Sequence, residues 1–459
     1  MPTTSIAVLT RDLRVHDSPV LGRAAGSADQ VVPLFVLDTA ILRSAYNRAN
    51  RAHFLAESLA DLDSSLRERG AGLVVRRGRW ALEVAGLAQE TGARQVHVAA
   101  DVTAYARRRL DDLAARLPDD VELVVHDDAL LVVPPGEVAT AGKDHMSVFT
   151  PYFRKWAKTP LRALEPTPRH LTMPRMARGD LPGPADIAGG ERSPDLMAGG
   201  ETAGRERMDC WLRDGIAAYD DDHDALGNDN TSRLSPYLHF GCVSPVELVR
   251  KAREQRSSAA ASFVRQVAWR DFHHQVLAAR PDATREDYRP RGDRWHSGGE
   301  ELTAWKEGRT GYPIVDAGMR QLAREGWMHN RARLITGHFL TKTLYIDWRE
   351  GAQHFVDLLL DADVANNTMN WQWVAGTGTD SRFNRTYNVT LQARRHDPAG
   401  SYVRRYVEEL AAVDDGYVHE PWLLPEEQFQ ALGYPPPIVD QLEAKERLKQ
   451  GRRAIRHPA

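Results

Sequence analysis

The segment Asp361-Ala-Asp-Val-Ala-Asn-Asn-Thr-Met-Asn-Trp-Gln-Trp373 crowds two carboxylates, paired amides and two indoles into one short stretch. A surface helix carries one apolar stripe, and here polar groups interrupt it. Polar groups drawn into a core need partners there. A large, flat cofactor rich in heteroatoms would supply partners for all of them at once. Three further clusters carry chemistry-bearing side chains. Tyr219 is followed by Thr231-Ser-Arg-Leu-Ser235, whose hydroxyls, amides and arginine near a helix start can hold a phosphate. A plain N-cap ahead of a helix is the competing reading, and spacing alone favours it. Gln266, Trp269, Arg270 and His273 recur at three- and four-residue spacing and share a helical face, which suits either a planar ligand or the edge of a core. Asn330, Arg331, Arg333 and Leu334 fall within one turn, and Arg333 has Asp361 or Asp363 as a candidate ion-pair partner; a solvated charged face is the alternative. Trp348 and Trp295 stand outside these clusters. Single tryptophans usually pack, but in a file with Trp371 they would form an electron route.

These residues need a scaffold. At 459 residues the chain is long enough for two or three domains, and 42% apolar with 27% charged residues is the balance of a soluble globular protein. Up to residue 130, short β-branched runs (Ile6–Leu9, Val31–Leu37, Leu73–Val75, Val96–Val98, Leu123–Val125) alternate with helical patterns. That alternation predicts an α/β domain with a five-stranded parallel sheet, Rossmann-like, over residues 1–130. Neither a Gly-x-Gly-x-x-Gly nor a Gly-Lys-Ser/Thr phosphate loop is present. Prolines and paired glycines concentrate within 131–204, which reads as an interdomain connector. Residues 205–459 read as an all-α domain holding most of the eleven tryptophans. Two distant cysteines exclude a disulfide framework or zinc site and fit a reducing, cytoplasmic setting. The first residues do not resemble a secretory signal, and no apolar run reaches membrane-spanning length. The net charge of −3 gives no sign of nucleic acid, so a basic groove would have to be made by folding.

Together the clusters resemble the photolyase/cryptochrome family, most of all the class I photolyases that repair cyclobutane pyrimidine dimers. The likeness also rests on Arg11-Asp-Leu-Arg-Val-His-Asp17, Val148-Phe-Thr-Pro-Tyr-Phe-Arg154, Lys306 to Arg320, Gly326-Trp-Met-His-Asn-Arg331 and Gly376-Thr-Gly-Thr-Asp380. The resemblance implies FAD, active as FADH⁻, in the helical domain. By that likeness Tyr219, Thr231, Ser232, Arg233, Leu234 and Ser235 meet its phosphates and ribitol. Arg270, Asn330, Arg333, Asp361 and Asp363 surround its rings, and Asn367 faces flavin N5. Trp371, Trp348 and Trp295 match the photoreducing tryptophan chain, innermost first. The implied mechanism is electron transfer: light excites the cofactor, an electron passes to a flipped-out dimer, the cyclobutane ring splits, and the electron returns. Flipping is needed because a lesion inside a duplex cannot reach a buried flavin. Trp269 and Trp373 match the indoles flanking the dimer, where stacking is worth ~1–3 kcal/mol per base. Gln266 and Leu334 match positions that touch the lesion, while Arg154 and Arg331 are candidates for the DNA backbone.

Several positions depart from the family pattern. Gln266 replaces a glutamate common among dimer-repair members, and an amide cannot share a carboxylic proton. The (6-4) photolyases also use glutamine there but add two histidines where this chain has Asn330 and Leu334. Asn388 to Asp397 diverges from the family's Asn-Pro-x-x-Gln-Gly-x-Lys-Phe-Asp. Phe35, Asp38 and Asp101 sit at predicted strand ends, where open α/β sheets bind ligands. They are similar to residues contacting an 8-hydroxy-5-deazaflavin antenna, with methenyltetrahydrofolate as the alternative. The expected partner is dimer-containing DNA, engaged by a monomer with no membrane attachment and no metal. A blue-light photosensor and a photolyase-like flavoenzyme with another substrate are the alternatives.

Overall fold

The computed structural model describes residues 2–138, 142–228, 230–380 and 386–453. The chain forms two compact units: Met1–Arg192 with Met197–Ala217 and Ser232–Pro281, and Ser193–Leu196 with Ala218–Thr231 and Asp282–Ala459.

The first unit is built on strands β1 (Thr4–Leu9), β2 (Gln30–Asp38), β3 (Val74–Gly78), β4 (Gln95–Ala99) and β5 (Glu122–His126). All pair in parallel, in the order β3-β2-β1-β4-β5. The five predicted strands are all present, each two residues longer than expected, and β3 is shifted to begin at Val74, after Leu73. Val8 of β1 lies beside Leu34 of β2 and Val98 of β4, so β-branched and leucine side chains stack in rows across the sheet. Ile6, Val8, Val32, Leu34, Val74 and Val96 are wholly buried with Val84 and Leu87 of the Trp80–Thr91 helix. Full burial of such a side chain contributes about 1.5–3 kcal/mol. Every residue of β1 is buried, as befits a central strand covered on both faces, whereas β5 at the edge is half-exposed.

The proline-rich stretch wraps this unit and is pinned by backbone bonds: Leu171 N–H to Arg69, Val31 N–H to Thr172, and Val75 N–H to Arg178. Within residues 131–160 the packing is denser. The Phe149–Trp156 helix buries Phe149, Tyr152 and Trp156, and it lies against the Ser258–Ala279 helix. The Trp156 indole donates to Asp271 Oδ2 at 2.8 Å, which also accepts from the Val133 amide at 2.9 Å. Gln275 exchanges hydrogen bonds with the Met146 backbone in both directions. The Arg11–Asp17 motif has a structural part too. Arg14 is buried and donates to the carbonyls of Asp17, Ala129 and Gly241, and Leu13 N–H bonds to Phe240.

Helices dominate the second unit, among them Pro313–Glu325, Asn330–His338, Trp348–Leu358, Val364–Ala375 and Gln441–Arg453. Trp305, Met319, Leu322, Phe339 and Met369 are fully buried. The run from Lys306 to Arg320 serves as scaffold. Asp316 accepts from the Thr310 amide and hydroxyl at 2.7 and 2.6 Å and from the Gly311 amide at 3.1 Å. Among the described residues no helix is long and apolar enough to cross a membrane.

Candidate functional site

In the first unit, the Ser258–Ala279 helix starts at Ser257, whose hydroxyl caps the Ala260 amide. Its face turns from exposed Gln266 through half-buried Trp269 and Arg270 to buried His273. Gln266 is exposed and makes no hydrogen bond to any described residue. Trp269 stacks on Phe149 with centroids 3.7 Å apart and planes at 11°, and meets Phe272 edge-on at 5.5 Å. The sequence reading missed Phe149; its signal was the aromatic spacing in Phe149-Thr-Pro-Tyr-Phe153. Folding also brings positive charge here. The Arg265 guanidinium lies 5.5 Å from the Phe149 ring and 5.6 Å from Phe153, and Arg154, one residue on, is exposed with no partner among the described residues. Arg270 is aimed by the carbonyls of Leu130 at 2.7 Å and Leu238 at 3.2 Å. In the Thr231–Ser235 run, Arg233 has φ +50°, rare for a residue with a side chain. Ser232 Oγ accepts from the Leu234 amide at 3.4 Å. The N-cap of the Ser235–Phe240 helix is buried Leu234 rather than a hydroxyl residue.

At the carboxyl ends of the strands, Asp38 closes β2 and caps the Ala40 amide, and receives the Tyr105 hydroxyl. Asp101 follows β4, accepts from the Thr103 amide and pairs with Arg11 at 3.1 Å. Phe35, expected at a strand end, lies inside β2 three residues before its last residue, paired on both sides and buried. The strand order places β1 and β4 at the topological switch, where such sheets bind ligands.

In the second unit, Tyr219 opens the Tyr219–Asp222 helix. Burial, with help from Asp224 and Asp220, pushes its phenol well above the ordinary tyrosine value, so it stays a neutral donor. The Thr231 hydroxyl is buried with no hydrogen-bond partner among the described residues. Its neighbour in the same loop, Asp224, takes Arg331 in a two-point ion pair at 3.0 and 2.5 Å. Burial works against the charged form of Asp224, and the Arg331 bonds outweigh it and draw its pKa down. Sequence reasoning missed this acid inside the run Asp220–Asp224. Arg331 stands on the Asn330–His338 helix with exposed Asn330 and half-buried Leu334. Arg333 chooses Asp361, at 3.0 and 2.9 Å, and its Nε donates to the Met328 carbonyl. Asp363 instead caps the Val364–Ala375 helix, accepting from the Asn366 amide at 2.8 Å.

Asn367 donates its Nδ2 to the Ala352 carbonyl at 3.1 Å, which fixes the amide and leaves Oδ1 without a described partner. Trp371, on the same helix, is buried and meets Trp305 edge-on at 6.0 Å and Phe355 at 4.9 Å. Gly351 makes that placement feasible: a Cβ there would lie 2.2 Å from the Trp371 ring. Gly351 belongs to the helix that Trp348 begins. Trp348 is buried, with its indole N–H on Asp287 at 2.9 Å. Trp295 is half-buried beside Tyr345. Among the described residues none of these three indoles is in ring contact with another. Trp373 is half-buried on the same helix as Trp371.

Residues 5–171 match the DNA photolyase family, and residues 263–454 match the FAD binding domain of DNA photolyase. The chain belongs to the DNA photolyase family. A Streptomyces griseus protein named deoxyribodipyrimidine photo-lyase is 53% identical over 98% of this chain and 99% of its own. Among solved structures, a bacterial class III photolyase from Agrobacterium tumefaciens superposes with a TM-score of 0.91 at 30% identity, covering 99% of this chain and 98% of its own. A cryptochrome from Synechocystis sp. PCC6803 does so at 0.90 and 27%, covering 98% and 99%.

The residues present fit FAD. Thr231 offers a buried hydroxyl that no described residue satisfies, and Asn367 offers an acceptor held in place from behind. A buried polar group left unmatched costs about 1–3 kcal/mol, so the Thr231 hydroxyl calls for a polar partner, and half-buried Asn367 has an acceptor to spare for one.

Proposed function

We propose that this protein is a light-driven deoxyribodipyrimidine photo-lyase, which splits cyclobutane pyrimidine dimers in DNA with FAD as its cofactor. Similarity to the Streptomyces griseus photo-lyase along nearly the whole chain supports the activity. The structural observation that carries it is Asn367, whose fixed Nδ2 leaves Oδ1 to accept a hydrogen bond from a protonated ring nitrogen. Bound in its fully reduced anionic form, FAD would supply a light-excited one-electron donor. Tyr219, Thr231, Ser232, Arg233, Leu234 and Ser235 are assigned to its phosphates and ribitol. Asn330, Arg270, Arg333, Asp361 and Asp363 are assigned to its rings. Trp371, Trp348 and Trp295 are assigned to carrying electrons inward when the oxidised cofactor is illuminated.

Gln266, exposed and with no side-chain partner among the described residues, is assigned to the thymine edges. Trp269, backed by Phe149, and Trp373 are assigned to stacking on the extruded bases, with Leu334 beside them. Arg154 and Arg331 are assigned to phosphates. Phe35, Asp38 and Asp101 are assigned to an antenna, with 8-hydroxy-5-deazaflavin preferred over methenyltetrahydrofolate. In this reading residues 1–130 hold the antenna, 131–204 connect, and 205–459 form the catalytic domain of a cytoplasmic monomer.

The test is illumination of reduced protein with a dimer-containing oligonucleotide, followed by chromatography of the bases. Restored thymines are expected, and so is a chromophore with the mass of FAD on denaturation. No repair with fully reduced flavin, together with light-altered binding to another protein, would transfer the assignment to a photosensor.

A further inference from the structure

Tyr345 is an aromatic residue that the assigned electron route does not use, although it touches the end of that route. Its ring lies 5.0 Å from Trp295, centroid to centroid, with planes at 41°. The backbone holds the two together. His296 N–H donates to the Tyr345 carbonyl at 2.8 Å, and an isolated parallel bridge joins His296 to Ile346. The Tyr345 hydroxyl donates to Asp293 Oδ1 at 2.7 Å. An aromatic ring in contact with an indole, and a carboxylate on its phenolic proton, are the two parts needed for coupled loss of an electron and a proton.

Two further features mark the position. Tyr345 has φ +56°, a backbone conformation that disfavours a bulky side chain and tends to persist where function maintains it. It is also buried while Trp295 is half-exposed. The Gln441–Arg453 helix approaches it, because Gly451 has no Cβ; one built there would lie 2.0 Å from the Tyr345 ring. Arg447 anchors the same helix by bonding both oxygens of Glu301 at 2.8 Å.

We infer that Tyr345 is a fourth member of the electron chain and the resting place of the oxidising hole. This rests on the assignment of Trp295 as the outer tryptophan. One electron leaves Tyr345 for the oxidised Trp295 indole, which returns to its closed-shell state. The phenolic proton moves to the Asp293 carboxylate, leaving a neutral tyrosyl radical. A small-molecule thiolate then gives up one electron and becomes a thiyl radical, and the Asp293 carboxyl returns its proton to the phenolate oxygen, which restores the tyrosine. Return of the hole to Trp295 requires the proton to come back as well, so charge recombination is slowed.

The experiment injects the hole without using the flavin. A ruthenium polypyridyl photo-oxidant is flashed with a sacrificial quencher in the presence of the full-length protein, and radicals are read by transient absorption and electron paramagnetic resonance. The parent should give a tyrosyl spectrum that grows as the tryptophanyl spectrum decays. Tyr345→Phe keeps the ring and should leave only tryptophanyl signal, with a severalfold shorter lifetime after blue light in flavin-loaded protein. Asp293→Asn should slow tyrosyl formation severalfold, because the phenolic proton then has only water to go to. Tyr345→Trp should restore a long-lived radical of tryptophanyl type. A tyrosyl signal unchanged in Tyr345→Phe, or a parent that stops at tryptophanyl, overturns the inference. A preparation that takes up no flavin yet shows the Tyr345-dependent signal sinks the FAD reading alone.

Discussion

At the scale of single residues, Gln266 is the proposed contact to the thymine edges of the dimer. It is exposed and uncommitted, so it can turn both its donor and its acceptor to a flipped base. It cannot share a carboxylic proton with the reduced dimer. Gln266→Glu is therefore expected to raise the number of dimers repaired per absorbed photon, measured by actinometry at saturating substrate. An unchanged yield would detach this residue from the splitting step. Under the same proposal (6-4) photoproducts should not be repaired, because Asn330 and Leu334 supply no acid. Asp363 caps a helix and is proposed to meet the flavin, and substitutions can separate the two. Asp363→Asn keeps a side-chain acceptor for the Asn366 amide and removes only the charge. Asp363→Ala removes both, and loss of such a cap costs about 1 kcal/mol. Flavin retention should fall in both variants, while the thermal midpoint of unfolding falls clearly only in Asp363→Ala. Equal midpoints would show that the cap carries no stability.

Among the elements, the Val364–Ala375 helix does the most, carrying Asn367 and two indoles behind one Asp363 cap. Its buried Trp371 is the inner member of the assigned chain, so Trp371→Phe should abolish photoreduction of oxidised flavin by blue light with an external donor. Chemically reduced Trp371→Phe protein should still repair dimers, since repair starts from a cofactor already reduced. Photoreduction at the parental rate would remove Trp371 from the route. In the sheet, His97 of β4 and His126 of β5 stack with centroids 5.2 Å apart, and Nδ1 of one lies 3.0 Å from Nε2 of the other. Burial, then His126, drives the His97 pKa down from 6.5 to about 4. A depressed imidazole pKa means that the unfolded chain binds the extra proton first. Stability present above pH 6.5 should thus be lost as pH falls toward 4, by up to roughly 3 kcal/mol. His97→Gln should flatten that dependence in denaturant titrations. The five strands were legible because β-branched runs in a parallel sheet are nearly continuous. The helical face of Gln266, Trp269 and Arg270 was legible from its spacing, as was an Arg333 pair with one of two aspartates. That Asp361 takes the pair, while Asp363 turns to cap a helix, depends on a turn geometry that spacing does not encode. Phe149 behind Trp269, Asp224 on Arg331 and Tyr345 on Trp295 join residues far apart in sequence, and only folding brings them together.

For the whole molecule, the net charge of −3 argues against tight nucleic-acid binding, yet affinity depends on where the cations stand. Each phosphate contact releases condensed counterions, so binding to dimer-containing DNA should weaken steeply with salt whatever the overall charge. The two candidate arginines are not equivalent. Arg154 is exposed and meets no described acid, so its full charge is available to a phosphate. Arg331 is held by Asp224 through two bonds, and its attraction for a phosphate is partly offset by that carboxylate. Arg154→Ala should therefore reduce the slope of log affinity against log salt by about one, equally for damaged and undamaged DNA. Arg331→Ala should change the slope less, and Asp224→Asn should increase it by freeing the arginine. Trp373→Ala should leave the slope alone and weaken only binding to lesion-bearing DNA, since stacking on an extruded base does not involve counterions. Fluorescence anisotropy titrations at several salt concentrations measure all four. Affinity for dimer-containing DNA that is indifferent to salt would remove the basic docking surface from the proposal. A Trp373→Ala effect shared equally by intact duplex would remove the flipped base.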